Sequence, residues 1–403
     1  MRPPASIAAK GSRAGGDPTY VQGRNRNELI AHFSSGTTVQ VELGRRRRYP
    51  GLPGPSPPTH GCYRKFVELG LPFGHLLDFG CGAGMGLQWL LQSKSRVTGL
   101  DIEGRAVAFA KAYVPEAELL HADVRSRRVK LPGEAVLVVD LLGLLSDPVS
   151  LLRSVSQQVP NLQAVFVAEP IARSDQILIP PARRAFGLVG LRSILTRSGF
   201  EVDDWVTVEG EMLCVIGHPT REPAIESLMQ AERAYLSHQT QPFLEACQSV
   251  LKSKSPRLCI EAALLEARLW FDLGQLDHSI AVLSDAVAWA PNDPRPLAGL
   301  SRLALSSGNQ DQAIRLAEAA TRTDPADLSA ACSLALAYAG VEENRSFNAW
   351  KTANALAPDD ASIARLLCAA SLSEGRPNDG LLVMDRLAQY ELRTGGLDQD
   401  KVL

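Results

Sequence analysis

The sequence lacks the patterns that mark a metal site, a disulfide scaffold or a membrane span. Its 403 residues include seven scattered cysteines, none in a CxxC pair or a Cys/His cluster with metal-ligand spacing. This usage is typical of a reducing compartment, so we expect a cytoplasmic protein. No apolar run of about 18 residues occurs, and no continuous apolar stretch follows the N-terminal Met1-Arg2-Pro3-Pro4. Neither a membrane association nor a signal peptide is therefore predicted.

The chain also has little net charge. Its 44 acidic and 42 basic residues give −2 at pH 7, which argues against electrostatic attraction of the whole protein to nucleic acid or to an anionic membrane. Apolar residues make up 45% and charged residues 21% of the chain. Such a composition is typical of a soluble globular protein, and the length suits two or three domains.

The first 58 residues differ in composition from the rest. Residues 1–50 hold nine Lys/Arg against three Asp/Glu, including the run Arg45 to Arg48, and a proline-rich stretch continues to Pro58. Proline removes a backbone donor, so this stretch is not expected to hold helix or central strand. We predict a disordered basic and proline-rich extension over residues 1–58. An anion- or RNA-binding arm is the alternative interpretation of the arginine run.

Residues 59–219 alternate apolar runs with helical stretches. This alternation predicts a Rossmann-like α/β domain with a mostly parallel, doubly wound sheet. The short turn between the last two strands predicts an antiparallel edge hairpin. The predicted strands are His75–Phe79, Arg96–Asp101, Glu118–His121, Ala135–Asp140, Ala164–Ala168, Glu201–Thr207 and Met212–Gly217; the early helical stretches are Gly86–Gln92 and Arg105–Ala112.

Residues 220–394 read as helical repeats, followed by a tail over 395–403. The prolines Pro291, Pro325 and Pro358 are 34 and 33 residues apart, and a small residue stands five positions before each (Ala286, Ala320 and Ala353). Gly274 and Gly308 are also 34 apart. Each unit reads as helix, glycine turn, helix and proline, and it resembles the tetratricopeptide repeat. We predict an all-α solenoid with three good repeats from Ile260 to about Leu387, after a degenerate opening unit.

A glycine-rich loop follows the first predicted strand of the α/β domain. Glycine lets a ligand approach the backbone closely at the carboxyl end of such a sheet. A dinucleotide fingerprint GxGxxG is not present, because Met85 or Leu87 stands where its third glycine would fall. Asp78, two residues before Gly80, suits a site for an ammonium and a sulfonium better than one for a pyrophosphate.

The pattern Asp-x-Gly-x-Gly-x-Gly resembles motif I of class I S-adenosylmethionine-dependent methyltransferases, and the resemblance covers about residues 60–218. It implies S-adenosyl-L-methionine as the cofactor. Asp101, at the end of the second strand, can accept the ribose hydroxyls, and Ile102 can pack on the adenine. Asp123 resembles the acid that accepts from the adenine amino group, and Asp140 marks the place where acceptor and methyl group meet. The predicted cofactor-binding residues are Asp78, Gly80, Cys81, Gly82, Ala83, Gly84, Asp101, Ile102, Asp123, Val124 and Asp140.

The acceptor half of the pattern is less complete. The segment from Asp140 to Pro148 is similar to a family segment that reads Glu-Val-Leu-Glu-His-x-x-Asp-Pro, but Gly143-Leu144 replaces its Glu-His pair. No catalytic residue is assigned; the candidate bases are His60, Tyr63, His121 and Glu169, and Arg183 and Arg184 are candidates for binding an anionic substrate.

Two hypotheses remain for the function. The first is an active methyltransferase acting on a small-molecule or protein-delivered acceptor, with repeats that bind a protein partner. The second is a catalytically inactive methyltransferase-like scaffold whose repeats mediate protein binding. A nucleic-acid acceptor is disfavoured, because Asp140-Leu-Leu-Gly stands where such enzymes carry Asn-Pro-Pro-Tyr.

Overall fold

The computed structural model describes residues 19–22, 28–32, 38–42, 57–125, 130–145, 147–171, 177, 184–209, 212–220, 222–253 and 255–394. Near the N-terminus, β1 (Thr19–Gln22), β2 (Glu28–His32) and β3 (Thr38–Glu42) form an antiparallel three-stranded sheet. These strands depart from the disordered extension that we predicted over residues 1–58; the other residues before Pro57 lie outside the described residues. Each segment carries β-branched or aromatic residues that favour strands. The arginine run lies outside the described residues.

Helix α1 (Pro57–Glu68) begins inside the proline-rich stretch, which we did not expect to hold a helix. The reason is the position of the prolines. The first turn of a helix has no internal partner for its N–H groups, so proline at Pro57 and Pro58 removes no helical hydrogen bond. Proline-rich sequence therefore excludes a helix interior but not a helix start.

Seven strands form the predicted Rossmann-like sheet in the order β6-β5-β4-β7-β8-β10-β9. Strands β4, β5, β6 and β7 pair in parallel, and β9 pairs with β10 antiparallel, which confirms the predicted edge hairpin. The strands are β4 (His75–Phe79), β5 (Arg96–Asp101), β6 (Glu118–His121), β7 (Ala135–Val139), β8 (Ala164–Pro170), β9 (Phe200–Glu209) and β10 (Met212–Pro219). The helices between them are α2 (Leu87–Leu90), α3 (Gly104–Tyr113), α4 (Pro148–Gln158) and α5 (Leu188–Arg197), with 3₁₀ turns at Leu91–Ser93 and Leu142–Leu144.

The remaining described chain is helical, as predicted. It forms five successive helix pairs: α6 (Pro223–Leu236) and α7 (Thr240–Lys252), α8 (Pro256–Asp272) and α9 (Leu276–Trp289), α10 (Pro294–Ser306) and α11 (Gln310–Thr323), α12 (Leu328–Tyr338) and α13 (Glu343–Leu356), α14 (Ala361–Ser373) and α15 (Pro377–Thr394). No helix in the described ranges is long and apolar enough to cross a membrane.

The repeat pattern has a clear physical basis in these helices. Gly274 and Gly308 adopt φ of +73° and +75° in the turns between paired helices, a conformation that costs little only for glycine. Ala286, Ala320 and Ala353 are fully buried, so small side chains let neighbouring helices approach. The period read from the sequence thus reports turn geometry and close packing.

Backbone contacts divide the chain into two compact units. One comprises residues 1–141 with 157–166, and the other comprises residues 142–156 with 167–403. The division does not follow the boundary that we predicted between residues 219 and 220. Within the second unit, Arg153 and Arg197 both bind Glu232 of α6, so the later part of the α/β fold packs with the helical repeats.

Candidate functional site

The predicted cofactor residues all belong to the first unit, and its parallel strands bring them to one edge. In register, Phe79 of β4 lies beside Leu100 of β5 and Val138 of β7, and Asp101 lies beside His121 of β6. The four strands therefore end at the same level. The segments that follow them carry the glycine loop and the predicted acids, which places these groups at the sheet edge where ligands bind in such folds.

The glycine loop after β4 requires its glycines. Gly80, Gly82 and Gly84 have φ of +79°, +53° and +84°, in the left-handed region. The amides of Gly80 and Cys81 donate to the carbonyl of Leu100, at 2.8 and 3.0 Å. The amide of Cys81, one of the predicted cofactor-binding residues, thus binds β5. Its thiol is buried, and burial raises its pKa.

The loop also fits closely against its surroundings. A Cβ atom at Gly80 would lie 3.2 Å from the side chain of Leu141, and one at Gly84 would lie 3.0 Å from Cβ of Ala110 in α3. Ala83 between them is fully buried. Side chains at these glycines would fill the space in which the loop packs, so the sequence spacing reflects steric need as well as backbone conformation.

Asp101 connects the loop to β5. One oxygen of its carboxylate accepts from the amide of Gly82 at 2.9 Å, and the other accepts from the amide of Glu103 at 2.8 Å. Burial raises its pKa, and the two amides oppose that rise. Each carboxylate oxygen has a second lone pair, so the group can still accept a ribose hydroxyl. The neighbouring Ile102 is 58% exposed, as a residue that packs on adenine requires.

Asp78 is placed differently from our expectation. Its carboxylate is completely buried, and both oxygens accept from the hydroxyl of Tyr63 in α1, at 3.0 Å each. Burial raises the pKa of Asp78 to about 7, against the opposing effect of the Tyr63 hydrogen bond. A Cβ atom at Gly86 would overlap the Tyr63 ring. Asp78 therefore connects β4 to α1. Gly86 was not predicted, and Tyr63 was named only as a candidate base, because their packing contacts have no spacing signature.

Asp123 and Val124 follow β6. Both oxygens of Asp123 bind the forked guanidinium of Arg125, with Oδ1 2.9 Å from Nε and Oδ2 2.8 Å from Nη2. The Arg125 side-chain hydrogen bonds are the main cause of the lowered pKa of Asp123. The carbonyl of Val124 accepts from Nε2 of Gln158 at 2.7 Å. The predicted adenine acid is thus an arginine-paired group, which the sequence did not indicate.

Asp140 lies just after the strand that we predicted it to end. Strand β7 stops at Val139, and Asp140 adopts φ of +56°. A non-glycine residue in the left-handed region is uncommon, and Asp tolerates it better than most. The backbone therefore turns sharply at the position where the family resemblance places the methyl group.

The loop after Asp140 lies in the second unit, and we call residues 142–145 the acceptor-side loop. The amides of Leu142 and Gly143 donate to the fully buried carboxylate of Glu169, at 2.6 and 3.2 Å. A Cβ atom at Gly143 would lie 2.6 Å from the carbonyl oxygen of Arg184. This contact leaves no room for the glutamate that the family segment carries at this position.

The candidate bases are engaged elsewhere. Tyr63 is bound to Asp78, Glu169 is bound to the acceptor-side loop, and a ring nitrogen of His121 donates to the carbonyl of Ile102 at 3.0 Å. The side chains of His60 and Arg183 lie outside the described residues. Among the described residues, no group of three or more His, Cys, Asp and Glu could hold a metal ion.

Comparisons with known proteins agree with these two regions. Residues 76–159 match the family model of a methyltransferase domain, and residues 271–337 match that of a tetratricopeptide repeat. No protein in the curated set matches the sequence significantly.

Solved structures similar to this chain include S-adenosylmethionine-dependent methyltransferases. One from Aquifex aeolicus has 17% identity and a TM-score of 0.36, covering 41% of this chain and 94% of that one. A TehB-like enzyme from Corynebacterium glutamicum has 16% identity and a TM-score of 0.32, with 40% and 88% covered. Magnesium protoporphyrin IX methyltransferase from Synechocystis, with bound cofactor, has 16% identity and a TM-score of 0.32, with 40% and 79% covered.

Proposed function

We propose that this chain methylates an acceptor, with S-adenosylmethionine as the methyl donor, while its repeats bind a protein partner. The proposal is supported by the match of residues 76–159 to a methyltransferase domain and of residues 271–337 to a tetratricopeptide repeat. The observation that carries the proposal is the Gly80–Gly84 loop fastened to Asp101 beside the exposed Ile102. A carboxylate next to an exposed apolar side chain suits a ribose next to an adenine.

The residues of the site would act mainly by positioning. The cofactor supplies a methyl group that its sulfonium has already activated, so transfer is a direct displacement. Asp101 would orient the ribose, Ile102 would cover one adenine face, and Asp123, held by Arg125, would receive the adenine amino group. The left-handed turn at Asp140 would set the start of the acceptor-side loop. Alignment and exclusion of water account for much of the rate in such reactions.

Two observations favour the second hypothesis, an inactive scaffold. The Arg184 carbonyl leaves no space for a side chain at residue 143, and the described base candidates are hydrogen-bonded elsewhere. A base is needed only when the acceptor is a hydroxyl or a protonated amine. Under the first hypothesis, an active enzyme without a base would need an acceptor that is already nucleophilic, such as a thiolate or a neutral amine.

The repeats offer a groove for a partner. It lies between α11, α12 and α13, has a volume of about 460 Å³, and includes Glu318, Arg322, Tyr338 and Arg345 in its lining. The hydroxyl of Tyr338 donates to Glu318 and accepts from Arg345, both at 2.5 Å. A groove that carries acidic and basic side chains and an aromatic ring suits a polar peptide segment. This supports the proposed protein partner.

Cofactor binding is tested by calorimetry with S-adenosylmethionine. Asp101→Ala removes the acceptor for the Gly82 and Glu103 amides together with the proposed ribose contact. We expect its Kd to rise at least tenfold, about 1.4 kcal/mol. Glu116→Ala, at an exposed acid in the segment that precedes β6, is the matched control and should keep the wild-type Kd. An absence of binding by the wild-type protein at millimolar cofactor would contradict the proposal.

Catalysis needs a separate measurement. The purified full chain is incubated with S-adenosylmethionine and a panel of thiol, amine and hydroxyl acceptors, and formation of S-adenosylhomocysteine is followed. The proposal expects turnover with at least one thiol or amine and its loss in Asp101→Ala. Tight cofactor binding with no turnover on any acceptor, including lysate fractions, would favour the scaffold.

A further inference from the structure

A short segment in the second unit touches both the acceptor-side loop and the repeats. This connecting segment, residues 184–187, precedes α5. On one side the amide of Arg184 donates to the carbonyl of Gly143 at 3.1 Å, and the amide of Phe186 donates to the carbonyl of Pro170 at 3.0 Å. The connecting segment thus lies against the acceptor-side loop and the end of β8.

The fit between this segment and the loop is close. The carbonyl oxygen of Arg184 occupies the space where a side chain at residue 143 would start, and Glu169 closes the other side, with Oε2 3.4 Å from the same Cβ position. Gly143 is therefore in close contact with the backbone of Arg184 and with the side chain of Glu169. Arg184 thus contacts the loop both through a backbone hydrogen bond and through close packing at Gly143.

Arg184 is in turn bound to the repeats. Its Nε lies 2.7 Å from Oδ1 of Asp359 and its Nη2 lies 2.9 Å from Oδ2, a two-pronged ion pair. Asp359 lies in the turn between α13 and α14, and the two side chains are only 27% and 20% exposed. Paired, partly buried groups with two parallel hydrogen bonds have a defined geometry, unlike a single exposed ion pair.

Gly187 of the connecting segment and Ile177, which precedes the segment in sequence, also contact the repeats. A Cβ atom at Gly187 would lie 2.7 Å from the carbonyl oxygen of Ala326, in the turn between α11 and α12. Ile177 packs against the hydrophobic cluster of the last repeats, which includes Trp350 and Leu367. The turns of the repeats therefore hold the connecting segment at more than one point.

We propose that Arg184 is a positioning residue through which the repeats set the conformation of the acceptor-side loop. The idea rests on the proposed function only in naming residues 142–145 as the acceptor side. A ligand of the repeats that draws Asp359 away releases Arg184, and the loop then loses its backbone partner at Gly143. Occupation of the repeats and the shape of the acceptor site are thereby coupled.

The test is hydrogen exchange of the full chain, read on the peptide that contains the Leu142 and Gly143 amides. Arg184→Gln and Asp359→Asn should each raise exchange in this peptide about tenfold. The reversed pair, Arg184→Glu with Asp359→Arg, should return it to within about twofold of wild type. Rescue by the reversed pair separates positioning from a general loss of stability.

Arg197→Gln is the matched control. It breaks another ion pair to the helical repeats, with Glu232 at 2.8 Å, that does not touch residues 142–145. In this variant, the peptide that contains the Leu142 and Gly143 amides should exchange as in wild type. Unchanged exchange in both single variants, or equal acceleration in the control, would overturn the proposal.

Cofactor affinity is measured on the same samples and should stay within about twofold, because the predicted cofactor residues belong to the other unit. Failure of the wild type to bind cofactor would contradict the proposed function. The exchange result would still decide the role of Arg184.

Discussion

At the scale of single residues, the buried pair of Asp78 and Tyr63 makes the folding stability of the protein depend on pH. Asp78 has a pKa of about 7 in the folded chain against about 3.9 when unfolded, because burial disfavours its charge. Between these two pH values the folded chain keeps a proton on Asp78 that the unfolded chain has released. The contribution of Asp78 protonation to the unfolding free energy is therefore complete below about pH 4 and is lost as pH rises through about 7.

Asp78→Asn removes this titration and keeps an oxygen for the Tyr63 hydroxyl. As the pH rises from 5 to 8, we expect the unfolding free energy of the variant to increase by roughly 2 kcal/mol relative to that of wild type. The reason is that one unit of pKa shift corresponds to about 1.4 kcal/mol. Urea denaturation followed by circular dichroism at both pH values measures it. Asp277→Asn, at an exposed acid in the first turn of α9, is the control; parallel pH profiles for wild type and Asp78→Asn would show that Asp78 is not the titrating group.

At the scale of elements, Gly86 decides how α1 meets the start of α2. Its backbone is ordinary, with φ of −69°, so alanine is allowed there on conformational grounds. The obstacle is the Tyr63 ring, which the new methyl group would overlap. We expect Gly86→Ala to destabilise the protein by about 1–3 kcal/mol, the usual range for overpacking, and to break the bond to Asp78.

Gly190 in α5 provides the matched substitution. A Cβ atom there meets nothing within 4 Å, so Gly190→Ala should stabilise the helix by up to about 1 kcal/mol. Both variants are compared by chemical denaturation. Equal effects of the two substitutions would mean that α1 does not pack on Gly86 as described.

At the scale of the whole molecule, Arg295 joins three elements of the second unit. Its guanidinium binds Glu261 of α8 at 2.8 Å, Asp293 at 2.7 Å and the Ser193 hydroxyl of α5 at 2.9 Å. The Arg295, Glu261 and Asp293 side chains are 15%, 8% and 13% exposed. Arg295→Ala would leave two carboxylates with little solvent and no counter-ion, a change that costs about 3–5 kcal/mol.

The comparison for this prediction is Arg322→Ala. Arg322 pairs with Glu318 at 3.8 Å and is 70% exposed, so its loss should cost less than about 0.5 kcal/mol. Unfolding free energies from urea titration separate the two expectations. A loss below about 1 kcal/mol for Arg295→Ala would indicate that the two carboxylates find other partners.

The sequence alone determined the periodic features of the protein. The bounds of β4, β5 and β6 were predicted to the residue, and the repeat period located the glycine turns and the buried alanines. These features follow from local geometry: buried parallel strands need apolar runs, and a left-handed turn needs glycine. The proline content led to a wrong prediction at α1, because the position of a proline within a helix matters more than the composition of the segment.

Tertiary structure decided the partners of the polar groups. The pairing of Asp78 with Tyr63 and of Arg184 with Asp359 cannot be read from the sequence, because the fold brings together residues that are far apart in the chain. The absence of the Glu-His pair was visible in the sequence, but its cause was not. Only the packed structure shows that the carbonyl of Arg184 lies where a side chain at residue 143 would start.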